Sequence, residues 1–167
     1  MKKALSFLFA LLLVTPSGCG YTLKATPPHG LETIYVETFQ NETFEPALEI
    51  DLTNSIIDRF LFDGTLRITE KEHADAVLKG TLTRFKREPL RYTNAEEVFE
   101  YRLILMIDLS LWDNRTQTTL WEERRFIGDT SFFRSGASEK SEEKATQDAI
   151  SELSRRIVDR VVEEWPE

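Results

Sequence analysis

A chain of 167 residues with 41% hydrophobic side chains, 11 of them Phe, is long enough to bury one core and of the right length for a single compact domain. Its 29 acidic against 21 basic residues leave a formal charge of −8, which excludes a general nucleic-acid binder, because neutralising phosphates needs a basic surface. A single cysteine excludes an internal disulfide, so stability has to come from packing.

The chain starts with Lys2 and Lys3 and continues with "ALSFLFALLLV", Ala4 to Val14, eleven residues without charge. A bilayer-spanning helix needs about 20 apolar residues, so this run fits the core of a signal peptide. Ser17 and Gly18 then precede Cys19, the order a lipoprotein signal peptidase needs: the thiol is alkylated with diacylglycerol and the chain is cut just before it. Pro16 departs from the Leu usual at such sites, and the alternative is an ordinary cleaved leader that leaves a free thiol. Two or more acyl chains on one residue hold a protein at a membrane stably. Gly20 stands where an Asp would retain a lipoprotein at the inner membrane, so outer-membrane delivery is expected. The expected organisation is a leader over 1–18, a lipidated tether over 19–32 containing Pro27, Pro28 and Gly30, and one domain over 33–167. Loss of Lys2 and Lys3 with the leader takes the formal charge from −8 to −10.

"TIYVETF", Thr33 to Phe39, alternates and is β-branched, which predicts a first strand with Ile34 and Val36 on one face. After the turn "QNET", Pro46 lies in the first turn of a helical pattern in which Leu48, Leu52, Ile56 and Phe60 recur every four residues, flanked by Ile57 and Leu61. Asp63 and Gly64 end it, with Gly available for a left-handed cap. "LRITE", Leu66 to Glu70, reads as a short strand, and Ala76 to Pro89 as a long one with Leu78 and Leu82 inward. In "EEVFEYRLILMIDLSLWD", Glu96 to Asp113, the odd positions from Phe99 to Leu111 are all apolar, a sustained period of two. Its even face mixes Ile104, Met106 and Trp112 with Glu100, Arg102, Asp108 and Ser110. "NRTQ" turns into a further strand, Thr119 to Asp129, and a last helix runs from Ser138 to about Trp165 with Ala149, Leu153, Ile157, Val161 and Trp165 at four-residue spacing. The early Glu139, Glu142 and Glu143 and the late Arg155, Arg156 and Arg160 suit the helix dipole.

Strand, helix, consecutive strands, helix, with one apolar stripe per helix, predicts an α+β two-layer sandwich: two helices on one face of a mainly antiparallel sheet of four to five strands. The other sheet face would be the uncovered one, and its mixed character suits a partner.

No P-loop, dinucleotide turn or GxSxG is present, so no cofactor is implied. His29 and His73 lie far apart in sequence and read as solvated rather than as metal ligands. Neighbouring carboxylates such as Glu122 and Glu123 point to opposite faces of a strand and make poor acid/base couples. Against this background "TRFKREPLRYTN", Thr83 to Asn94, carries Arg84, Lys86, Arg87 and Arg91 against Glu88 alone, a local +3. Arg84, Lys86 and Glu88 share parity, and Pro89 should end regular pairing. Two readings stand: ion pairs across the hairpin with Glu96, Glu97 and Glu100, or an anion site gripped by Arg forks. "SFFRSG", Ser131 to Gly136, reads as a loop placing two Phe beside Arg134, either to meet acyl chains and head groups or as a simple apolar anchor.

The ordered set "CGYTL", "IYVETFQNET", "LTNSIIDRF", "ADAVLKGTL", "EYRLILMIDLSL" and the closing charged helix resembles the LptE family of lipopolysaccharide-assembly lipoproteins. The resemblance implies a non-catalytic two-helix-on-sheet domain that plugs the lumen of the outer-membrane barrel LptD, helps it assemble and binds lipopolysaccharide. It implies a lipid A phosphate contact at a basic residue just before "EYRL", best matched by Arg91, within the set Arg84, Lys86, Arg87 and Arg91. A second basic contact of the family falls ahead of the last helix, where the loop is short and Arg134 or Lys140 is the loose match. Outside the resemblance, the residues also fit an outer-membrane lipoprotein adaptor of another envelope or secretion complex, and location alone leaves a tethered hydrolase.

Overall fold

The computed structural model describes residues 30–92, 98–133 and 141–163. The leader, Cys19, the tether as far as His29, Glu96, Glu97, Arg134, Ser138, Lys140 and Trp165 lie outside the described residues. The elements are β1 (Thr33–Val36), β2 (Gln40–Asn41), α1 (Leu48–Asp63), β3 (Arg67–Ile68), a single 3₁₀ turn (Lys71–His73), β4 (Ala76–Tyr92), β5 (Val98–Asp113), β6 (Thr118–Phe133) and α2 (Glu142–Val162).

The sheet runs in the order β3-β1-β4-β5-β6, with β2 beside β4. The three long strands form the expected antiparallel hairpins. β1 instead lies parallel to both β3 and β4, because α1 carries the chain back across the sheet between β1 and β3, and a helical crossover returns the next strand in the same direction. The result is the predicted α+β sandwich, with short parallel strands at one side of an antiparallel meander.

Both helices cover one face. Leu48, Leu52, Ile56 and Phe60 of α1 and Ala149, Leu153, Ile157 and Val161 of α2 are buried against Leu78, Leu82, Leu103, Leu105, Ile107 and Leu111 of the sheet. Arg87 contacts Glu45 and Glu142 just before and at the start of the two helices, and Arg59 meets Asp159 near their other ends, so the helices run side by side in the same direction. Gly64 closes α1 at φ 70°, its N–H donating to the Phe60 carbonyl, the left-handed cap that glycine favours. Ser141 caps α2 by accepting the Lys144 N–H at 3.1 Å; the described helix therefore starts at Glu142, not at the predicted Ser138.

Two further departures concern strand ends. β6 continues to Phe133, so Ser131–Phe133 is strand rather than loop; Phe132 is buried and stacks on Tyr101 at 5.7 Å. β4 continues past Pro89 to Tyr92 with the register shifting on either side of Arg91, so the proline disturbs pairing without ending it.

Candidate functional site: the basic stretch of β4 and the open sheet face

The orientation of the basic stretch is decided at Thr83. Leu78, Gly80 and Leu82 face Leu111, Leu109 and Ile107, on the helix side, but the register slips between Leu82 and Arg84. One extra residue in a strand inverts the faces of all that follow. Beyond it Arg84, Lys86 and Glu88 stand opposite Met106, Ile104 and Arg102, on the face away from the helices. The Thr83 hydroxyl donates to the Met106 carbonyl at 3.2 Å, binding the bulge to β5.

The same inversion turns Arg87 toward the helices. Its guanidinium lies 2.9 Å from Glu45 and 2.9 Å from Glu142, so it ties together the starts of α1 and α2. A second slip at Leu90 returns Arg91 to the open face opposite Glu100. Of the four described cations in the proposed set, Arg84, Lys86 and Arg91 therefore share a face, and Arg87 is on the other.

These three cations differ in how they are engaged. Lys86 donates to Glu88 at 2.5 Å, and that hydrogen bond, with the Lys86 charge, holds the Glu88 carboxyl below its ordinary value. Arg91 Nε lies 3.1 Å from Glu100 Oε2, a charge contact without the alignment of a hydrogen bond. The Glu100 side chain is 6% exposed, so this carboxylate depends on Arg91 for compensation. Among the described residues no carboxylate comes within ion-pair distance of Arg84. At Arg91 the stretch thus makes a hairpin ion pair with Glu100.

Around the cations the open face stays mixed. Ile104 and Met106 are half-buried, Ile127 of β6 is opposite Met106, and Arg102 pairs with Asp129 at 3.0 Å. Further along, Lys79 lies over the Trp112 ring at 5.3 Å, at the edge of a shallow depression of about 370 Å³ lined by Glu37, Thr81, Asp108, Ser110 and Arg124 among others. His73 sits exposed on its 3₁₀ turn, and Glu123 faces Arg160 at 2.8 Å while Glu122 lines the open-face depression, which separates that carboxylate pair. Among the described residues no three His, Cys, Asp or Glu side chains are grouped to hold a metal ion, and no helix is long and apolar enough to cross a membrane.

Sequence reasoning missed the outcome at Arg87, because a bulge leaves no unambiguous residue signature. It also missed Asp75, a carboxylate clamp on the start of β1. Asp75 accepts from the Glu32 N–H at 2.9 Å, the Thr33 N–H at 3.0 Å and the Thr33 hydroxyl at 3.0 Å. The only available hint was the "HAD" turn just before a strand.

The fold so defined is an acidic two-layer α+β domain with one sheet face covered by two helices and the other open and mixed. The family model for LptE, described as lipopolysaccharide-assembly, matches residues 31–164, and this chain belongs to that family of non-enzymatic lipoproteins. Among solved structures, it is similar to a hypothetical protein from Chlamydia trachomatis, with TM-score 0.56 and 14% identity over 78% of this chain and 95% of that one. A PelC variant dodecamer from Paraburkholderia phytofirmans matches with TM-score 0.53 and 12% identity over 78% and 88%. A protein from Xanthomonas campestris matches with TM-score 0.51 and 14% identity over 83% and 91%. At such identities these likenesses show the fold alone. No curated protein sequence matches the chain.

Proposed function

We propose that this protein is an outer-membrane lipoprotein, anchored through acylated Cys19 on the periplasmic side, that plugs and helps assemble an LptD-type barrel and binds lipopolysaccharide on its way to the outer leaflet. The observation that carries the reading is the sharing of one uncovered face by Arg84, Lys86 and Arg91 with half-buried Ile104 and Met106. Guanidinium forks suit lipid A phosphates, and apolar side chains beside them suit an amphiphile. Arg134 and Lys140 would extend the phosphate contacts from the segment before α2. Arg87, engaged by Glu45 and Glu142, serves that face indirectly by fixing the helix starts beneath it. An acidic, mixed surface also fits a barrel lumen, which is polar and selects by complementary charge.

Titration with purified lipopolysaccharide tests the site. Arg91→Ala and Arg84→Ala are each expected to weaken binding about tenfold, the scale of one lost charge-assisted contact. Glu100→Gln is expected to strengthen it, since an anion at Arg91 competes with Glu100 for the same guanidinium. Unchanged affinity in both arginine variants would remove lipopolysaccharide from this face. Purification of the tagged, lipidated chain from solubilised outer membrane tests the barrel: a large β-barrel retained one-to-one through a high-salt wash supports the plug, and recovery of secretion components instead supports the adaptor.

A further inference from the structure

Phe44 is fully exposed, at 104% of its reference area, in a loop that is built to hold it there. The Asn41 side chain donates to the Glu45 carbonyl at 2.8 Å and to Glu49 at 2.6 Å, while its oxygen accepts from the Thr43 N–H at 2.9 Å and the Thr43 hydroxyl at 2.8 Å. The Thr43 hydroxyl in turn accepts the Glu45 N–H at 3.2 Å, and Glu45 is fixed by Arg87 of β4 at 2.9 Å. Ala47 then takes a left-handed conformation, φ 66°, to enter α1. A flexible loop would fold a large aromatic ring back onto the protein; this one spends its polar groups keeping the backbone rigid on both sides of Phe44. Phe is among the aromatic residues enriched at protein interfaces, where buried aromatic anchors fill pockets on the partner.

The surroundings select the partner. Glu42 and Glu45 flank the ring in sequence, and Glu45, Asp51, Glu142 and Glu143 line a recess of about 290 Å³ at the joined helix starts. Arg87 is the one cation bound into this group by the described ion pairs. An acidic rim repels anionic lipid and complements a basic protein surface.

Resting on the barrel reading above, we infer that Phe44 and its acidic rim form the docking knob of this protein, seated in an apolar socket of the barrel wall rimmed by Arg or Lys. The open face of the sheet, with Arg84, Lys86 and Arg91, is thereby left to lipopolysaccharide, so partner and cargo are held on different surfaces.

The test uses the full lipidated chain co-expressed with the LptD-type barrel of the same organism, with the photo-crosslinker p-benzoylphenylalanine in place of Phe44. A crosslinked product containing the barrel supports the inference. Crosslinks to lipopolysaccharide, to phospholipid or to a second copy, or none at all, overturn it. In parallel, Phe44→Asp is expected to lower barrel recovery at least tenfold with an unchanged thermal midpoint, and Glu42→Lys to lower it several-fold. Undiminished recovery with Phe44→Asp, where the wild type copurifies, would sink the knob and leave the plug standing. Failure of the wild type to retain the barrel would sink both.

Discussion

Asp75→Ala is expected to lower unfolding free energy by about 2 kcal/mol and to abolish slow amide exchange at Thr33, measured by urea unfolding and hydrogen exchange. The carboxylate serves three donors of the incoming chain, and the Asp75 N–H returns a bond to the Thr33 hydroxyl at 2.9 Å. Its removal leaves those donors without their charged acceptor, and bonds to charged groups are each worth about 1.5–3 kcal/mol net; partial access of water reduces the total. The effect should be concentrated in β1, which is held otherwise by short parallel pairings with β3 and β4.

The same clamp makes stability depend on acid. Burial alone pushes the Asp75 carboxyl up, but the Glu32 N–H, the Thr33 hydroxyl and N–H and the Arg115 charge together hold it below its usual 3.8. Asp113, at the far end of β5, behaves alike: burial is outweighed by the Arg115 side chain and the Thr116 and Arg115 N–H groups. A carboxyl depressed in the fold contributes stability that is complete above the unfolded value and lost as pH falls through the folded one. Stability is therefore expected to fall below about pH 4, with a shallower slope in Asp75→Asn. An equal slope in that variant would mean that other carboxylates govern the acid limb.

How much of this was legible in the sequence differs by element. The odd face of β5 and the four-residue spacing in α1 and α2 were plain, because burial on one side imposes periods of two and of about 3.6 that a reader can count. The left-handed cap at Gly64 followed from residue type. The parallel placement of β1 was not legible: four residues pair equally well in either direction, and the direction is set by where α1 packs. The extent of β6 was misjudged because "SFFRSG" has loop-like small residues at its end, while Phe132 is held in the strand by Tyr101. At the basic stretch, the shared parity of Arg84, Lys86 and Glu88 could be read directly. The side on which they and Arg87 would emerge could not, since it depends on the bulge at Thr83. Phe44, just after the turn "QNET", carried no signal in the sequence, for exposure of an aromatic is a property of the folded surface.

Gly80→Ala is expected to cost about 3 kcal/mol through overpacking, although Ala in the middle of a strand is ordinarily more favourable than Gly. A Cβ at this position would stand 2.4, 2.6 and 2.7 Å from three ring carbons of Phe39, well inside contact distance. The ring has little freedom to retreat: Phe39 is buried in the core, and its N–H donates to the Thr53 hydroxyl of α1 at 3.1 Å, which itself donates to the Glu49 carbonyl at 2.6 Å. Gly80 is thus the notch that lets the β1–β2 connection lie against the sheet and seats α1 above it. Gly128→Ala repeats the effect more mildly, its Cβ meeting Leu153 of α2 at 2.9 Å. A double-mutant cycle separates this cause from a general strand effect. Phe39→Leu should destabilise the wild type yet recover part of the loss in Gly80→Ala, giving a coupling of about 1 kcal/mol or more between the two positions. Strict additivity in urea unfolding would show that the ring is not what fills the space above residue 80.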